Sequence, residues 1–433
     1  MGEAGSGVAN AVDNVDIVDI VIVGAGAAGL ATAIFARRAN ANRRVIVLDG
    51  ARRPGAKILI SGGSRCNVTN AIVTERDYWG GRSAIVRRIL RTFSADDAVR
   101  FFGELGVPLH EEPGGKLFTN SNRSRDVLDA LLAELHRVGA ELRSDTRVVE
   151  VRRDDGFHVI TTHGEIVAAS VVLATGGQSL PKTGSDGAGY AIARALGHTI
   201  VPTTPALAPL VVDPARSFHR DVSGVAHDAE LTIWIDGTVR QRLRGSLLWA
   251  HFGVSGPVAM NASRHWLRAQ HEQRPVAVTI SFVPGRTFEA VDRALVSMAT
   301  DKPASTTASL LATFVPASLA TALLRGVAVP ADETLAHLTR DNRRRVAHAL
   351  TAWPLAVTGT RGYTFAEATA GGIALDEIDP STMESRKRPG LFVVGEVLDV
   401  DGRIGGFNFQ WAWSTGFVAG RALARGPQAR PKI

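Results

Sequence analysis

The sequence predicts an α/β protein with a Rossmann-like nucleotide-binding domain and an insertion made of a small antiparallel sheet or barrel and a helical segment. Three observations support this fold class. A strand, a glycine-rich turn and a helix follow one another near residue 20. Segments 230–235 and 276–282 are rich in β-branched residues, and the stretch from 288 to 350 is rich in alanine and leucine. An apolar strand at 391–395 and an apolar helix at 410–424 then return the chain to its first domain.

The composition is that of a globular protein with a sizeable core. Of 433 residues, 45% are apolar and 21% are charged, which excludes a wholly disordered chain. Lys and Arg number 49 against 42 Asp and Glu, so the formal net charge is +7. The basic pairs and triplet at 43–44, 87–88 and 343–345 are scattered and lack an aromatic platform, so we expect no specific nucleic-acid partner.

Cysteine content and hydropathy exclude several other classes. The single cysteine, Cys66, excludes an intramolecular disulfide and a zinc site with several thiolates, and we expect no metal site. Residues 1–16 have no continuous apolar core and are expected to form a loose tail. No apolar run is long enough to span a bilayer. We expect a cytoplasmic protein with no membrane partner, and we make no prediction of its oligomeric state.

The first βαβ unit consists of an apolar strand at 17–23, a helix at 30–39 and a second apolar strand at 44–48. Asp49 ends the second strand, 20 residues after the last glycine of the intervening turn. A carboxylate at this place accepts hydrogen bonds from ribose hydroxyls and repels a 2′-phosphate. We therefore expect Asp49 to contact the ribose of a dinucleotide.

The turn has the pattern GxGxxG, with glycines at Gly24, Gly26 and Gly29. Gly24 permits a tight turn, Gly26 lets the backbone approach the pyrophosphate, and Gly29 allows close packing of helix on strand. Ala27 and Ala28 begin the helix, whose positive end faces the phosphates. FAD and NAD share this fingerprint, so the rest of the chain must distinguish them.

Segment 57–70 is expected to form a glycine-rich loop that cradles the pyrophosphate and passes beside a flavin. Its candidate cofactor contacts are Lys57, Ser61, Gly62, Gly63, Arg65, Cys66 and Asn67. Arg65 has two further interpretations, a site for an anionic substrate and a structural salt bridge.

Four ordered motifs carry a resemblance to a known family. They are KILISGGSRCNVTN at 57–70, LATGGQSLPKTG at 173–184, HFGVSGP at 251–257, and GEVLDVDG at 395–402 followed by GGFNFQ at 405–410. Together with the opening strand they resemble the bacterial BaiN-like NAD(P)/FAD-dependent oxidoreductases, also called aminoacetone oxidase family FAD-binding enzymes. The resemblance runs from about residue 20 to residue 420. Ser64, Leu180 and Ala188 depart from the family pattern, and Ser64 replaces a glycine that tolerates positive φ more readily.

The resemblance implies an FAD domain of the two-dinucleotide-binding flavoprotein type at 16–200 and 359–433. It implies an inserted small β-barrel, which forms a substrate domain, at 201–285 and 346–358, and a nested helical domain at 286–345. It also places the turn before the last helix at the flavin N1–C2 carbonyl edge, where amides and the helix dipole favour negative charge. The further cofactor contacts are Val148, Thr175, Gly176, Gly177, Gly395, Glu396, Asp399, Asp401, Gly405, Gly406, Phe407 and Asn408.

We predict an FAD-dependent oxidoreductase that transfers hydride equivalents between NADH or NADPH and a small organic substrate. Because no second GxGxxG lies between a strand and a helix, the nicotinamide co-substrate must dock transiently. The alternatives are a flavoprotein oxidase of an amine or similar donor that uses oxygen, and a nucleic-acid-binding protein that keeps flavin as a structural ligand. His251, in a Gly/Ser/Pro loop, is the candidate catalytic proton donor or acceptor, or else a hydrogen-bonded histidine between two domains.

Cys66 is expected to be a small buried residue rather than a redox thiol. Cys66→Ser should therefore leave flavin reduction by a nicotinamide nearly unchanged, as measured by anaerobic stopped-flow absorbance. A loss of several orders of magnitude with FAD still bound would contradict this.

Overall fold

A computed structural model describes residues 16–426. The expected loose tail lies outside the described residues except for Asp16, which begins the first strand. The strands are β1 (Asp16–Val23), β2 (Val45–Leu48), β3 (Asn67–Asn70), β4 (Tyr78–Gly80), β5 (Leu109–Glu112), β6 (Lys116–Thr119), β7 (Glu141–Arg143), β8 (Val148–Arg153), β9 (Phe157–Thr161), β10 (Gly164–Leu173), β11 (Ile200–Ala206), β12 (Leu210–Val212), β13 (Ala226–Ile235), β14 (Thr238–Ala250), β15 (Gly253–Ser255), β16 (Val276–Ser281), β17 (Trp353–Leu355), β18 (Val357–Thr360), β19 (Ala368–Ile373), β20 (Leu391–Val393) and β21 (Val400–Gly402).

The helices account for most of the remaining regular structure. They are α1 (Ala27–Ala39), α2 (Ala56–Ser64), α3 (Ser83–Thr92), α4 (Ala95–Glu104), α5 (Ser124–Arg137), α6 (Ala188–Ala195), α7 (Pro257–His271), α8 (Phe288–Asp301), α9 (Thr307–Leu311), α10 (Ala317–Gly326), α11 (Arg340–Ala352) and α12 (Phe407–Ala424). Between residues 16 and 426, no helix combines the length and the apolar character that crossing a lipid bilayer requires.

The central sheet of the first unit has the strand order β7-β2-β1-β10-β9-β8, and β20 also pairs with β10. Five strands are parallel to one another: β7, β2, β1, β10 and β20. Strand β9 pairs antiparallel with β10, and β8 pairs antiparallel with β9. The inner residues of β1, Val21 and Ile22, are fully buried, as expected for a strand covered on both faces. The predicted α/β, Rossmann-like class is therefore confirmed.

The second unit is a seven-stranded antiparallel sheet of order β17-β16-β13-β14-β15-β12-β18. The first and last strands of this order, β17 and β18, are separated in the chain by Ala356 alone, so the sheet must curve until its two edges approach each other. Helices α8 to α11 share a core with this sheet: Leu295 and Leu350 pack in the same cluster as Ile280.

One expected boundary is corrected by the helices. The predicted end of the helical segment at residue 345 falls inside α11, which continues to Ala352. The last turns of α11 bury Val346 and Leu350 in the core shared with the sheet, and so the helix does not stop where the basic triplet ends. The limits predicted at residues 200 and 358 also fall inside strands, β11 and β18, and the remaining limits stay predictions.

The C-terminal helix α12 lies directly against α1. A Cβ atom added at Gly416 would lie 2.9 Å from the Cβ of Ala31, and one at Gly420 would lie 2.8 Å from both the Cβ of Phe35 and the carbonyl oxygen of Thr32. Contacts this short require a shift of the backbone, so glycine is needed at both positions for the two helices to approach this closely.

We expect Gly420→Ala to lower the free energy of unfolding by about 1–3 kcal/mol, because the added methyl group meets the backbone of α1. The matched control is Gly103→Ala in α4, where an added Cβ has nothing within 4 Å. The control should be neutral or stabilising by about 0.5 kcal/mol, because alanine favours helix. Urea unfolding of the two variants measures the difference, and equal stabilities would contradict the close approach.

Candidate active site

A cavity of about 830 Å³ opens at the carboxyl ends of the parallel strands. Val23 and Gly24 line it from the end of β1, Asp49 from the end of β2, and Ala174 and Thr175 from the end of β10. Open α/β sheets bind ligands in the crevice outside this edge. The predicted nucleotide site and the cavity therefore coincide.

The three fingerprint glycines are required for three different reasons. Gly24 has a φ of +106°, and a Cβ there would lie 2.5 Å from the carbonyl oxygen of Ala174. A Cβ at Gly29 would lie 1.9 Å from the carbonyl oxygen of Gly24, which brings α1 against β1. At Gly26, by contrast, a Cβ would meet nothing within 4 Å. Gly24 and Gly26 line the cavity with Ala27 and Ala28, whereas Gly29 lies behind it.

The carboxylate of Asp49 is held in place by two backbone amides. Its Oδ2 accepts a hydrogen bond from the amide of Ala25 at 2.8 Å, and its Oδ1 accepts one from the amide of Ala51 at 2.8 Å. The side chain lines the cavity beside the glycine turn, together with Val148 from β8. A ribose bound here would meet a carboxylate of fixed orientation.

The expectation of a loop at 57–70 is wrong in part. Residues 56–64 form α2, which is interrupted at Ser61, Gly62 and Gly63, and Asn67 begins β3. Glycine richness suggested a loop, but Gly62 and Gly63 have φ of +55° and +67° and permit the kink inside the helix. Ser64 also has a positive φ, of +67°, at the position where the family usually has glycine.

The residues of this segment divide into two groups. Lys57, Ser61, Gly62, Arg65 and Asn67 line the cavity. Gly63 and Cys66 do not, although both were expected as contacts. Cys66 is fully buried, and burial raises the pKa of its thiol to about 12, so the thiol stays protonated at neutral pH.

Arg65 has two interactions that favour its structural role. Its Nη1 lies 2.6 Å from a carboxylate oxygen of Glu112, and its guanidinium lies 4.1 Å from the centre of the Phe118 ring. The ion pair explains the lowered pKa of Glu112. The side chain still borders the cavity, so the paired guanidinium forms part of the wall.

A hydrogen-bonded cluster closes the wall between α2 and the segment after β20. The ammonium of Lys57 contacts the hydroxyl of Ser179 at 2.6 Å and also pairs with Glu396. The other carboxylate oxygen of Glu396 accepts hydrogen bonds from the Ser179 hydroxyl and from the amide of Thr369, both at 2.9 Å. Both oxygens of Glu396 are therefore engaged.

The turn before α12 brings a helix N-terminus to the cavity. Gly405 and Gly406 have φ of +126° and +91°, and a Cβ at Gly406 would lie 2.4 Å from the carbonyl oxygen of Thr69. No side chain caps this helix. Gly405, Gly406 and Asn408 line the cavity, and the Asn408 side chain accepts from the Gly402 amide at 2.8 Å. Phe407 is fully buried and does not reach the cavity.

Two expected acidic contacts are placed elsewhere. Asp401 is buried and forms a bidentate ion pair with Arg264 of α7, with distances of 2.6 and 2.9 Å. Asp399 is not among the lining residues, and burial raises the pKa of its carboxyl. The sequence assigns both to the cofactor because they flank a strand end, but Asp401 lies in β21, which pairs with β4, and its carboxylate is directed to α7.

The remaining predicted cofactor contacts either line the cavity or lie behind its wall. Thr175 and Gly176 line the cavity. Gly177 packs against Thr369, and the Gly395 amide donates to the Thr415 hydroxyl at 3.0 Å, so these two support the wall from behind.

His251 is not brought to the cavity. It is exposed in the turn between β14 and β15, where its ring lies 5.1 Å from that of Phe252. A proton-transfer role assigned from a Gly/Ser/Pro loop thus has no support in the geometry, because the loop joins two inner strands of the second sheet and does not line the cavity.

Sequence reasoning missed several lining residues that come from the segments joining the two units. Leu207 follows β11, and Thr364, Phe365 and Glu367 precede β19, the strand with which β11 pairs. Lys116 of β6 and Arg403 also border the cavity. These residues belong to no recognisable motif, and only the pairing of strands distant in sequence brings them together.

The site fits a dinucleotide cofactor such as FAD. Two glycine turns leave helix N-termini facing the cavity, and Gly26 leaves room for an approaching group. Two residues that line the cavity, Asn67 and Thr175, have buried side-chain oxygens. Neither oxygen has a hydrogen-bond partner in the described structure. Buried polar atoms are normally satisfied, so a bound ligand is expected to complete them.

We expect Gly26→Ala to weaken FAD binding by about tenfold or more, equivalent to about 1.4 kcal/mol. The added methyl group contacts no protein atom and projects into the space that the pyrophosphate is expected to occupy. The cofactor-free protein should keep its stability within about 0.5 kcal/mol. Fluorescence titration of the apoprotein with FAD measures the affinity, with Gly103→Ala as the control; unchanged affinity would contradict the assignment.

Similarity to known proteins indicates the family of this chain. The family model described as HI0933-like protein Rossmann domain matches residues 18–422. A 3-dehydro-bile acid delta(4,6)-reductase of Clostridium scindens is 32% identical over 409 residues, covering 94% of this chain and 99% of that protein. A ribosomal RNA dihydrouridine synthase of Escherichia coli is 33% identical over 407 residues, covering 94% of this chain and 98% of that protein.

Among solved structures, a 3-ketosteroid-delta4-(5alpha)-dehydrogenase from Rhodococcus jostii RHA1 is similar, with a TM-score of 0.47 and 16% identity. The match covers 96% of this chain and 99% of that one. The identity is too low to indicate a shared activity. The match to the family model, by contrast, extends over nearly the whole chain, and the chain therefore belongs to the HI0933-like Rossmann family, which includes the BaiN-like flavoprotein oxidoreductases that its motifs resemble.

Proposed function

We propose that the protein is an FAD-dependent reductase that passes hydride from NADH or NADPH to a carbon–carbon double bond conjugated with a carbonyl group. The observation that carries the proposal is that two relatives, each matched over nearly its full length, are named for the same bond change. A 3-dehydro, delta(4,6) steroid has double bonds conjugated with a ketone, and dihydrouridine is uridine with its ring double bond saturated.

The residues of this chain would hold FAD along the edge of the sheet. The glycine turn and the start of α1 would bind the pyrophosphate, and Asp49 would bind the ribose. The start of α12 would face the flavin pyrimidine edge, where its dipole stabilises negative charge. Bound FAD supplies hydride transfer, and the protein orients it and adjusts its electrostatic environment. We also interpret the curved sheet and α8 to α11 as the β-barrel and nested helical insertion that cover the substrate side.

The substrate class has two candidates. The first is a small organic molecule, consistent with the reductase of bile acids. The second is a uridine within RNA, which is favoured by Arg240, Arg242 and Arg244 on β14. All three are exposed. Arg242 and Arg244 share one face of the strand, Arg240 follows at a shift in the strand register, and Arg244 pairs with Glu230. Runs of adjacent basic residues do not include these three arginines, because single residues separate them in the sequence.

Anaerobic visible spectroscopy tests the reductase proposal. NADH or NADPH should bleach the flavin bands of the purified protein within seconds. A steroid with a 3-oxo-Δ4,6 arrangement, or a uridine-containing RNA, should then restore them. Bleaching by amines, with none by NAD(P)H and with rapid recovery in oxygen, would favour the amine oxidase alternative and overturn the proposal.

Salt-dependent RNA binding distinguishes the two substrate classes. If β14 contacts RNA phosphates, the double variant Arg240→Ala/Arg242→Ala should reduce the slope of log K against log salt by about two, because two phosphate contacts are lost. The matched control, Arg344→Ala/Arg345→Ala on α11, removes the same charge and should change the slope little. Equal slopes in both variants would exclude this RNA surface and leave the small molecule.

A further inference from the structure

The carboxyl group of Glu367 borders the cavity from the segment just before β19. Its side chain is exposed to the open cavity, and the surrounding protein desolvates its carboxyl group. In the described structure it has no hydrogen bond or ion pair, although its backbone is held: its amide donates to Leu207 at 3.1 Å and its carbonyl accepts from the Ser179 hydroxyl at 3.3 Å. The backbone is fixed while the carboxyl group remains free.

The other acidic side chains of the cavity wall already have partners. Asp49 accepts from two backbone amides, Asp186 pairs with Arg147 at 2.6 Å, and Glu396 is engaged through both oxygens. The described wall contains no histidine, tyrosine or cysteine. Glu367 is therefore the wall residue best suited to exchange a proton near neutral pH.

The charged groups around Glu367 have opposing effects on its proton affinity. Burial raises the pKa of the Glu367 carboxyl above its usual range, and the ammonium groups of Lys57 from α2 and Lys116 from β6 oppose this with smaller effects. The Lys57 ammonium is itself neutralised by Glu396. A carboxyl in this setting retains its proton at higher pH than a solvated glutamate does.

We propose that Glu367 is the catalytic acid that supplies the proton for reduction of the conjugated double bond. The inference rests on the proposed function and applies to either substrate class. The π bond breaks and two C–H bonds form: hydride originating from NAD(P)H adds to one carbon, and the carboxyl proton of Glu367 adds to its neighbour. NAD(P)⁺ and the Glu367 carboxylate result, and solvent reprotonates the carboxylate.

Rapid kinetics of the FAD-loaded enzyme test the assignment with Glu367→Gln. Bleaching by NAD(P)H should be unchanged, because no proton from Glu367 is needed, whereas reoxidation by the unsaturated substrate should slow by about 10²–10⁴-fold. In the wild type, the reoxidation rate should fall at high pH as Glu367 loses its proton. This fall should be absent from the variant. The control is Glu111→Gln, an exposed residue of β5, which should behave as wild type. Reoxidation at the wild-type rate with the wild-type pH profile would overturn the proposal.

Thermal unfolding provides a reading that is independent of turnover. Because the folded pKa of Glu367 is raised, the folded state binds the proton more tightly than the unfolded state, and ionisation destabilises the fold as pH rises past the unfolded pKa. The Tm of Glu367→Gln relative to wild type should therefore increase between pH 4 and pH 8. Failure of any unsaturated substrate to reoxidise the flavin would refute the proposed function, and a Tm difference that is constant with pH would refute the proton-holding role of Glu367.

Discussion

The close packing of α1 against α12 is the constraint on which the site depends. Gly416 lies at the level of Ala28 to Thr32, and Gly420 at the level of Thr32 to Ala36, so the two helices run parallel. Gly416 is nine residues from the start of α12. The part of α1 that it faces is only about three residues from the start of α1. At 1.5 Å per residue, their N-termini are offset by roughly 9 Å along the axis. Two positive helix ends thus face one cavity at different depths, as an extended anionic cofactor requires.

A second constraint joins the two units beside this cavity. Strands β11 and β19 carry the chain out of the first unit and back, and the buried Arg264–Asp401 pair fastens α7 to β21. Removing one partner of a buried ion pair typically costs about 3–5 kcal/mol, because the other charge is left uncompensated. The carboxylate that the sequence assigned to the cofactor therefore holds the second unit in register with the site.

The charged side chains of the cavity wall have two different roles: several are fixed by hydrogen bonds, and one, Glu367, is free to exchange a proton. Lys57, Glu396 and Asp49 are held in fixed positions by hydrogen bonds and ion pairs with neighbouring groups, which gives the cofactor a rigid surface. Glu367 lies beside this network without joining it. A protein environment that orients some groups while raising the pKa of another is a common way to prepare an acid for catalysis.

Local patterns in the sequence were enough to predict the βαβ unit, the roles of Gly24 and Gly29, and the position of Asp49, because these depend on local backbone geometry and fixed spacing. It also indicated the family, since its motifs are contiguous. It did not reveal the kinked helix at 56–64, because glycine richness is compatible with a loop and with a helix that bends. The sequence could not show that His251 and Asp401 lie away from the cavity or that Glu367 borders it. Those positions depend on the pairing of β11 with β19 and on the packing of α7, which no local pattern encodes.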